Sequence, residues 1–248
     1  MKTGFSNLAV LTASVVALAS LAGCNFDAGK ANFDAVTAEA HKKDSPWDGF
    51  TMLVEAKEEG FRQCYYDYCS SSRYEVLRST EKDMADLYVK SLDMGDPRAY
   101  TDLFSDSRQS RSGEELAAFR DDLRQKYVSR LLSFAESAAD TSADPKLLYI
   151  AGYTITKGQD VVFDYPRAIN LLYRAWLAGS QGAAITASAA SRQINDPLNA
   201  YLWALRCIGK CQRGEPLESF VKGLSPEQIR SAQQAATVRA LITVGGSS

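Results

Sequence analysis

The sequence holds 248 residues, enough for one sizeable domain or two small ones, and is 46% hydrophobic and 23% charged, as folded chains usually are. Lysine plus arginine total 28 against 30 acidic residues, a net charge of −2 with a pI of about 5.6. The basic residues are scattered, which argues against a nucleic-acid partner. The single histidine, His41, leaves too few ligands for a histidine-based metal cluster.

Residues 1–23 form a short basic start followed by an apolar run of export-signal length, bounded by small residues. No basic stop-transfer cluster follows, so the expectation is a cleaved signal. Leu21, Ala22, Gly23 and Cys24 resemble a bacterial lipobox. That resemblance implies cleavage before Cys24 and lipidation there, and three acyl chains are enough for stable membrane attachment. Asn25 in place of aspartate then implies sorting to the outer membrane, with the chain facing the periplasm. Residues 24–44 read as a lipidated polar tether, partly helical around Phe33–Val36 and carrying His41 as a solvated residue. Fully extended, such a tether reaches about 65 Å.

The folded region is expected from residue 45 to 248, with an N-terminal cap to about Ser79. Ser45, Pro46 and Trp47 start a helix expected to end near Gly60. Next, Cys64 and Cys69 bracket Tyr65, Tyr66 and Tyr68. Clustered tyrosines offer contact area at low entropy cost, which makes them candidates for partner binding; the alternative is that they seal one end of the helical stack. Thr80 with Asp83 reads as a helix start, and a further helix follows Ala99 to about Phe104. After a polar insertion, Ser112 and Glu115 form a capping box for a long helix to about Ala139.

Residues 144–183 are the most regular stretch. Asp144 and Pro145 start a helix, Gly158 breaks it, and Asp164 with Pro166 starts another. On that second helix Arg167, Asn170 and Arg174 make one narrow polar stripe, so the helix must be packed on most sides. Ala183, Ala187, Ala190 and Ile194 then line one face of a small-residue helix. Asp196, Ala200 and Arg206 repeat Asp164, Ala168 and Arg174 at an offset of 32 residues. Ser225 to Gln228 is a strong helix start, for a helix expected to run to about Val244.

Gly152, Gly158, Val161, Asp164, Ala168, Arg174, Ala175, Gly179 and Ala183 together resemble a Sel-one-like repeat, a relative of the tetratricopeptide repeat. Lys90, Gly95 and Ala99 match the end of a second copy. Asp160 stands where the pattern has its second turn glycine, Ala151 where it has a leucine, and Ile155 where it has an aromatic. The resemblance implies an all-α solenoid of degenerate helical hairpins presenting an extended surface to a protein partner.

Besides Cys24, the four cysteines fall in two local pairs, Cys64 with Cys69 and Cys207 with Cys211. Disulfides are the default for an exported chain; local pairs are favoured among three connectivities, and zinc binding at these loose spacings is disfavoured. No nucleophilic triad, phosphate loop, metal site or cofactor motif is present, and the paired carboxylates at Glu58–Glu59, Glu114–Glu115 and Asp121–Asp122 splay apart on helices. The expected function is therefore partner binding without catalysis. Its sharpest form is an immunity lipoprotein that occludes a type VI secretion phospholipase effector, by resemblance to lipoproteins of that kind. A general envelope scaffold is the alternative, and a carboxylate-based envelope hydrolase a more distant one.

Overall fold

The computed structural model describes residues 26–67, 71–105, 117–139, 144–207 and 215–245, in which all regular structure is helical. The chain divides into two compact units, Met1–Ser91 and Leu92–Ser248. The signal and Cys24 lie outside the described residues, and so do Tyr68, Cys69 and Cys211. Among the described residues no helix is long and apolar enough to cross a membrane.

The first unit holds α1 (Phe26–Ala40), α2 (Pro46–Asp67) and most of α3 (Ser71–Asp93). The segment read as a tether is therefore mostly helix. Its Phe33 and Ala40 are buried, and α1 packs on α2. Gly49 permits the close approach: a Cβ there would sit 2.3 Å from the Ala40 carbonyl oxygen. His41, expected to be solvated, meets Asp83 at 3.1 Å, with both side chains still partly exposed. The core of this unit is aromatic, with Phe50 5.2 Å from Trp47 and 5.0 Å from Tyr88 between ring centres.

In this unit two helix boundaries differ from the sequence reading. α2 continues through Gly60 to Asp67, since one glycine inside a helix costs only about 1 kcal/mol. α3 runs unbroken through Thr80, which is buried at 3% exposure instead of capping. Asp83 is occupied by His41, and Lys57 of α2 reaches Glu81 at 3.1 Å.

The second unit begins where α3 ends and contains α4 (Pro97–Phe104), α5 (Ala117–Ser137), α6 (Pro145–Lys157), α7 (Tyr165–Ala178), α8 (Gly182–Gln193), α9 (Pro197–Arg206) and α10 (Pro226–Ala236), with a short 3₁₀ turn at Leu217–Phe220. Four of the starts share one device. Asp96, Asp144, Asp164 and Asp196 each accept a hydrogen bond from a backbone N–H two or three residues on, with proline at the first or second helical position. Gly95 (φ +79°) and Asn195 (φ +56°) take the left-handed turn just before Asp96 and Asp196, so one helix stops and the next is capped within two residues.

From α6 to α10 successive helices pack against one another. Gly152 sets the closest approach of α6 to α7, since a Cβ there would lie 2.9 Å from Leu172 Cγ. Ala183, Ala187 and Ala190 are buried on α8, but Ile194 lies past the helix end and is 41% exposed. α10 stops at Ala236 and not near Val244. Beyond it, Arg206 Nη2 donates to the carbonyls of Ala235, Val238 and Leu241, and Asn199 exchanges two hydrogen bonds with the backbone of Val244. These tertiary bonds take the groups that further helix would have used.

Arginines close helix ends throughout this unit. A helix leaves its last four carbonyls without partners, and a cation there also meets the negative end of the dipole. Arg130 donates to Asp93 O, and Arg120 to Asp102 O and Ser105 O. Arg174 donates to Ala135 O and Ala138 O at the end of α5. Arg174 and Arg206, which share a place 32 residues apart in the sequence, do the same work in opposite directions. Arg174 reaches back to α5, and Arg206 reaches forward to α10. The polar stripe on α7 thus faces the end of α5, where Arg167 also pairs with Glu136.

Candidate functional site

The second unit carries a groove of about 280 Å³ between α6 and α8, lined by Tyr153, Thr156, Lys157, Tyr165, Ile185, Thr186, Ala189, Ala190 and Gln193. α6 contributes residues spaced three and four apart, which puts them on one face. Tyr153 stacks on Tyr149 with ring centres 5.9 Å apart, and the Lys157 ammonium lies 4.9 Å from the Tyr153 ring centre. The Thr156 hydroxyl is turned inward and donates to Tyr153 O at 2.7 Å. On the opposite wall, exposed Ala189 keeps the groove open because it projects only a methyl.

The loop from α6 to α7 forms one rim. Gly158 ends α6 in the left-handed region at φ +63°, and the Phe163 ring packs directly over it. Phe163 also stacks on Tyr165 at 5.8 Å, nearly parallel. Val162 and Phe163 are 89% and 54% exposed, an apolar tip beside the groove. The base of the loop is pinned by Asp160, whose carboxylate takes a two-pronged ion pair from Arg124 of α5, with oxygen–nitrogen distances of 2.6 to 3.2 Å. Both side chains are largely buried, so the pair is shielded from solvent. The position where the repeat pattern expects a glycine is here an anchor.

No carboxylate lines the groove, and its one charged group is Lys157. Its lining combines apolar Ile185, Ala189 and Ala190 and aromatic faces with hydroxyls, an amide and an ammonium. Among the described residues no three His, Cys, Asp or Glu side chains converge as a metal site.

The strongest electrostatic displacements lie away from the groove. Burial pushes Tyr100 up to about 12; its hydroxyl donates to Leu92 O at 3.1 Å and its ring sits edge-on to Tyr127 and Phe134. Burial likewise raises Tyr127, helped by its bond to Asp93. Burial also raises Tyr173 and holds Arg206 below the usual guanidinium range.

Of the residues singled out from sequence, Cys64, Tyr65 and Tyr66 fall within α2, but their side chains are outside the described residues, as are Tyr68, Cys69 and Cys211 entirely. Cys207 is buried, follows α9 directly and is disulfide-bonded, with its partner outside the described residues. The groove residues carry one signal in the sequence, the four-residue spacing of Tyr149, Tyr153 and Lys157. What that face meets across the gap depends on α8, which no local pattern announces. No family model matches the chain, and neither a curated protein nor a solved structure matches it.

Proposed function

We propose that the chain is a protein-binding stack of degenerate helical repeats, held to the bacterial envelope by a lipid on Cys24 and facing the periplasm. In this reading it acts by occlusion, without catalysis or cofactor, and the groove between α6 and α8 receives a segment of its partner. The observation that carries the proposal is the groove itself, with its tyrosine–lysine wall and the exposed Val162–Phe163 tip at its rim. Two further features support the stack: each helix from α6 to α10 packs on the next, and matched Asp–Arg positions recur 32 residues apart. The most specific form is an immunity lipoprotein that neutralises a type VI secretion phospholipase effector on the periplasmic side. The lipobox-like start and the lack of a catalytic constellation in the sequence motivate it.

The test uses the full chain, purified in non-ionic detergent, as bait for envelope and effector proteins. Binding is then measured again with Ala189→Arg. Ala189 is exposed, and arginine suits a helix, so the variant fills the groove without entering the core. One stoichiometric partner that is an inactivated phospholipase, bound about tenfold or more weakly by the variant, is the expected result. Unchanged binding by Ala189→Arg would remove the groove from the reading. Several weak envelope partners, with no phospholipase inhibited, would replace immunity with a general scaffold.

A further inference from the structure

A second constellation stands apart from the groove, on α7, α8, α9 and the segment after α10. Trp176 and Trp203 meet edge-to-face with ring centres 5.7 Å apart, and Tyr173 stacks on Trp203 at 4.8 Å. Arg206 lies over both indoles, 4.6 Å from the Trp203 ring centre and 5.6 Å from that of Trp176. Arg239 lies 4.8 Å from the same Trp176 ring centre. Two cations thus share one indole. Among the described residues neither makes an ion pair: Arg206 donates to the carbonyls of Ala235, Val238 and Leu241, and Arg239 to Trp176 O. Each guanidinium has five N–H donors, so most of their capacity is unspent.

The same cluster holds buried donors with no acceptor. These are Trp176 Nε1 and the Nε and Nη1 of Arg206. Buried Trp203 and Ser191 instead meet the Tyr173 hydroxyl. A buried donor left without a partner costs about 1–3 kcal/mol, and native structures keep few of them, usually where water or an ion belongs. Here they belong to Arg206 and to the indole it shares with Arg239. All three are N–H groups that can only donate. The missing component is therefore an acceptor, and the double positive charge favours one that is anionic and accepts from several directions at once. A tetrahedral phosphate group meets both conditions better than a planar carboxylate does.

We propose that Arg206, Arg239 and Trp176 form a binding site for a phosphate-type oxyanion, roofed by the C-terminal segment 237–245. The roof is held by polar contacts: the Arg206 bonds to Val238 and Leu241, the Arg239 bond to Trp176, and the Asn199 exchange with Val244. Val238 and Leu241 are about half exposed, while Val244 packs against the core of Tyr201, Leu202, Ala232 and Ala235. Binding an anion beneath it adds charge-assisted bonds to both arginines and ties the segment down. The site does not depend on the groove or its partner.

The experiment titrates the full chain in detergent with inorganic phosphate at constant ionic strength, and separately with phosphatidylcholine vesicles with and without phosphatidic acid. Tryptophan emission is the readout, since two of the three tryptophans stand in the cluster. Arg239→Gln is the main variant because Arg239 is exposed and its loss leaves the core intact. Arg239→Lys keeps the charge. The expected result is saturable binding, weakened about tenfold by Arg239→Gln and partly retained by Arg239→Lys. Saturation with inorganic phosphate makes free phosphate the source; saturation only with phosphatidic acid makes it a lipid headgroup. No saturable response to either probe overturns the proposal. So does a response that chloride reproduces, or one that Arg239→Gln leaves unchanged.

Discussion

Replacing Gly158 with alanine tests the link between the α6–α7 loop and the groove rim. Two penalties are expected. The left-handed φ of +63° costs an L-residue about 1–2 kcal/mol. The new Cβ would also stand 2.4 Å from the Phe163 ring, too close for any real contact. The ring must move, and because Phe163 is already 54% exposed, it can swing outward and not strain the core. Losing its remaining burial and its stack on Tyr165 costs roughly 1 kcal/mol more. Gly158→Ala should therefore cost about 2–3 kcal/mol, and about 1–2 kcal/mol when made in a Phe163→Ala background, where no ring is displaced. Urea denaturation followed by tryptophan emission measures both legs of the cycle, with Trp176 and Trp203 reporting on the same unit. Equal costs in the two backgrounds would refute the packing argument and leave only the backbone term.

Other outcomes follow from the same structure. Asp164→Ala and Asp196→Ala each remove a capping oxygen from a helix start and should cost about 1 kcal/mol in denaturant midpoint, additively, as the caps serve different helices. Arg174→Ala leaves Ala135 O and Ala138 O without their donor and should cost about 1.5–3 kcal/mol, with faster amide exchange near the end of α5. Tyr100 holds its proton more tightly when folded, at about 12 against an ordinary 10. Its contribution is thus fully present below pH 10 and is lost as pH rises from there to about 12, amounting to roughly 3 kcal/mol. Tyr100→Phe should flatten that alkaline slope in a stability–pH profile; an unchanged slope would assign it to other groups.

What the sequence determined was set by chemistry that closes within a few residues. An aspartate oxygen reaches an N–H two or three positions on, proline accepts the first turn, and glycine or asparagine takes the left-handed stop. The starts of α6, α7 and α9 were readable for that reason, as was the capping box of α10, whereas α4 begins at Pro97 and not after Ala99. Local signals failed where a partner from another helix competed. Thr80 has the pattern of a cap but lies buried inside α3, and the apolar run after Ala236 looks helical but gives its carbonyls to Arg206 and its Val244 backbone to Asn199. The matched arginines were visible as a repeat, but their opposite directions were not. Only tertiary structure brings the end of α5 to Arg174 and the end of α10 to Arg206. The same holds for the groove. Tyr153 and Lys157 announce a shared helix face, but the wall that faces them is Ala189 and Thr186 of α8. Small residues there carry no local signal, and the packing of α7 between the two helices decides the gap.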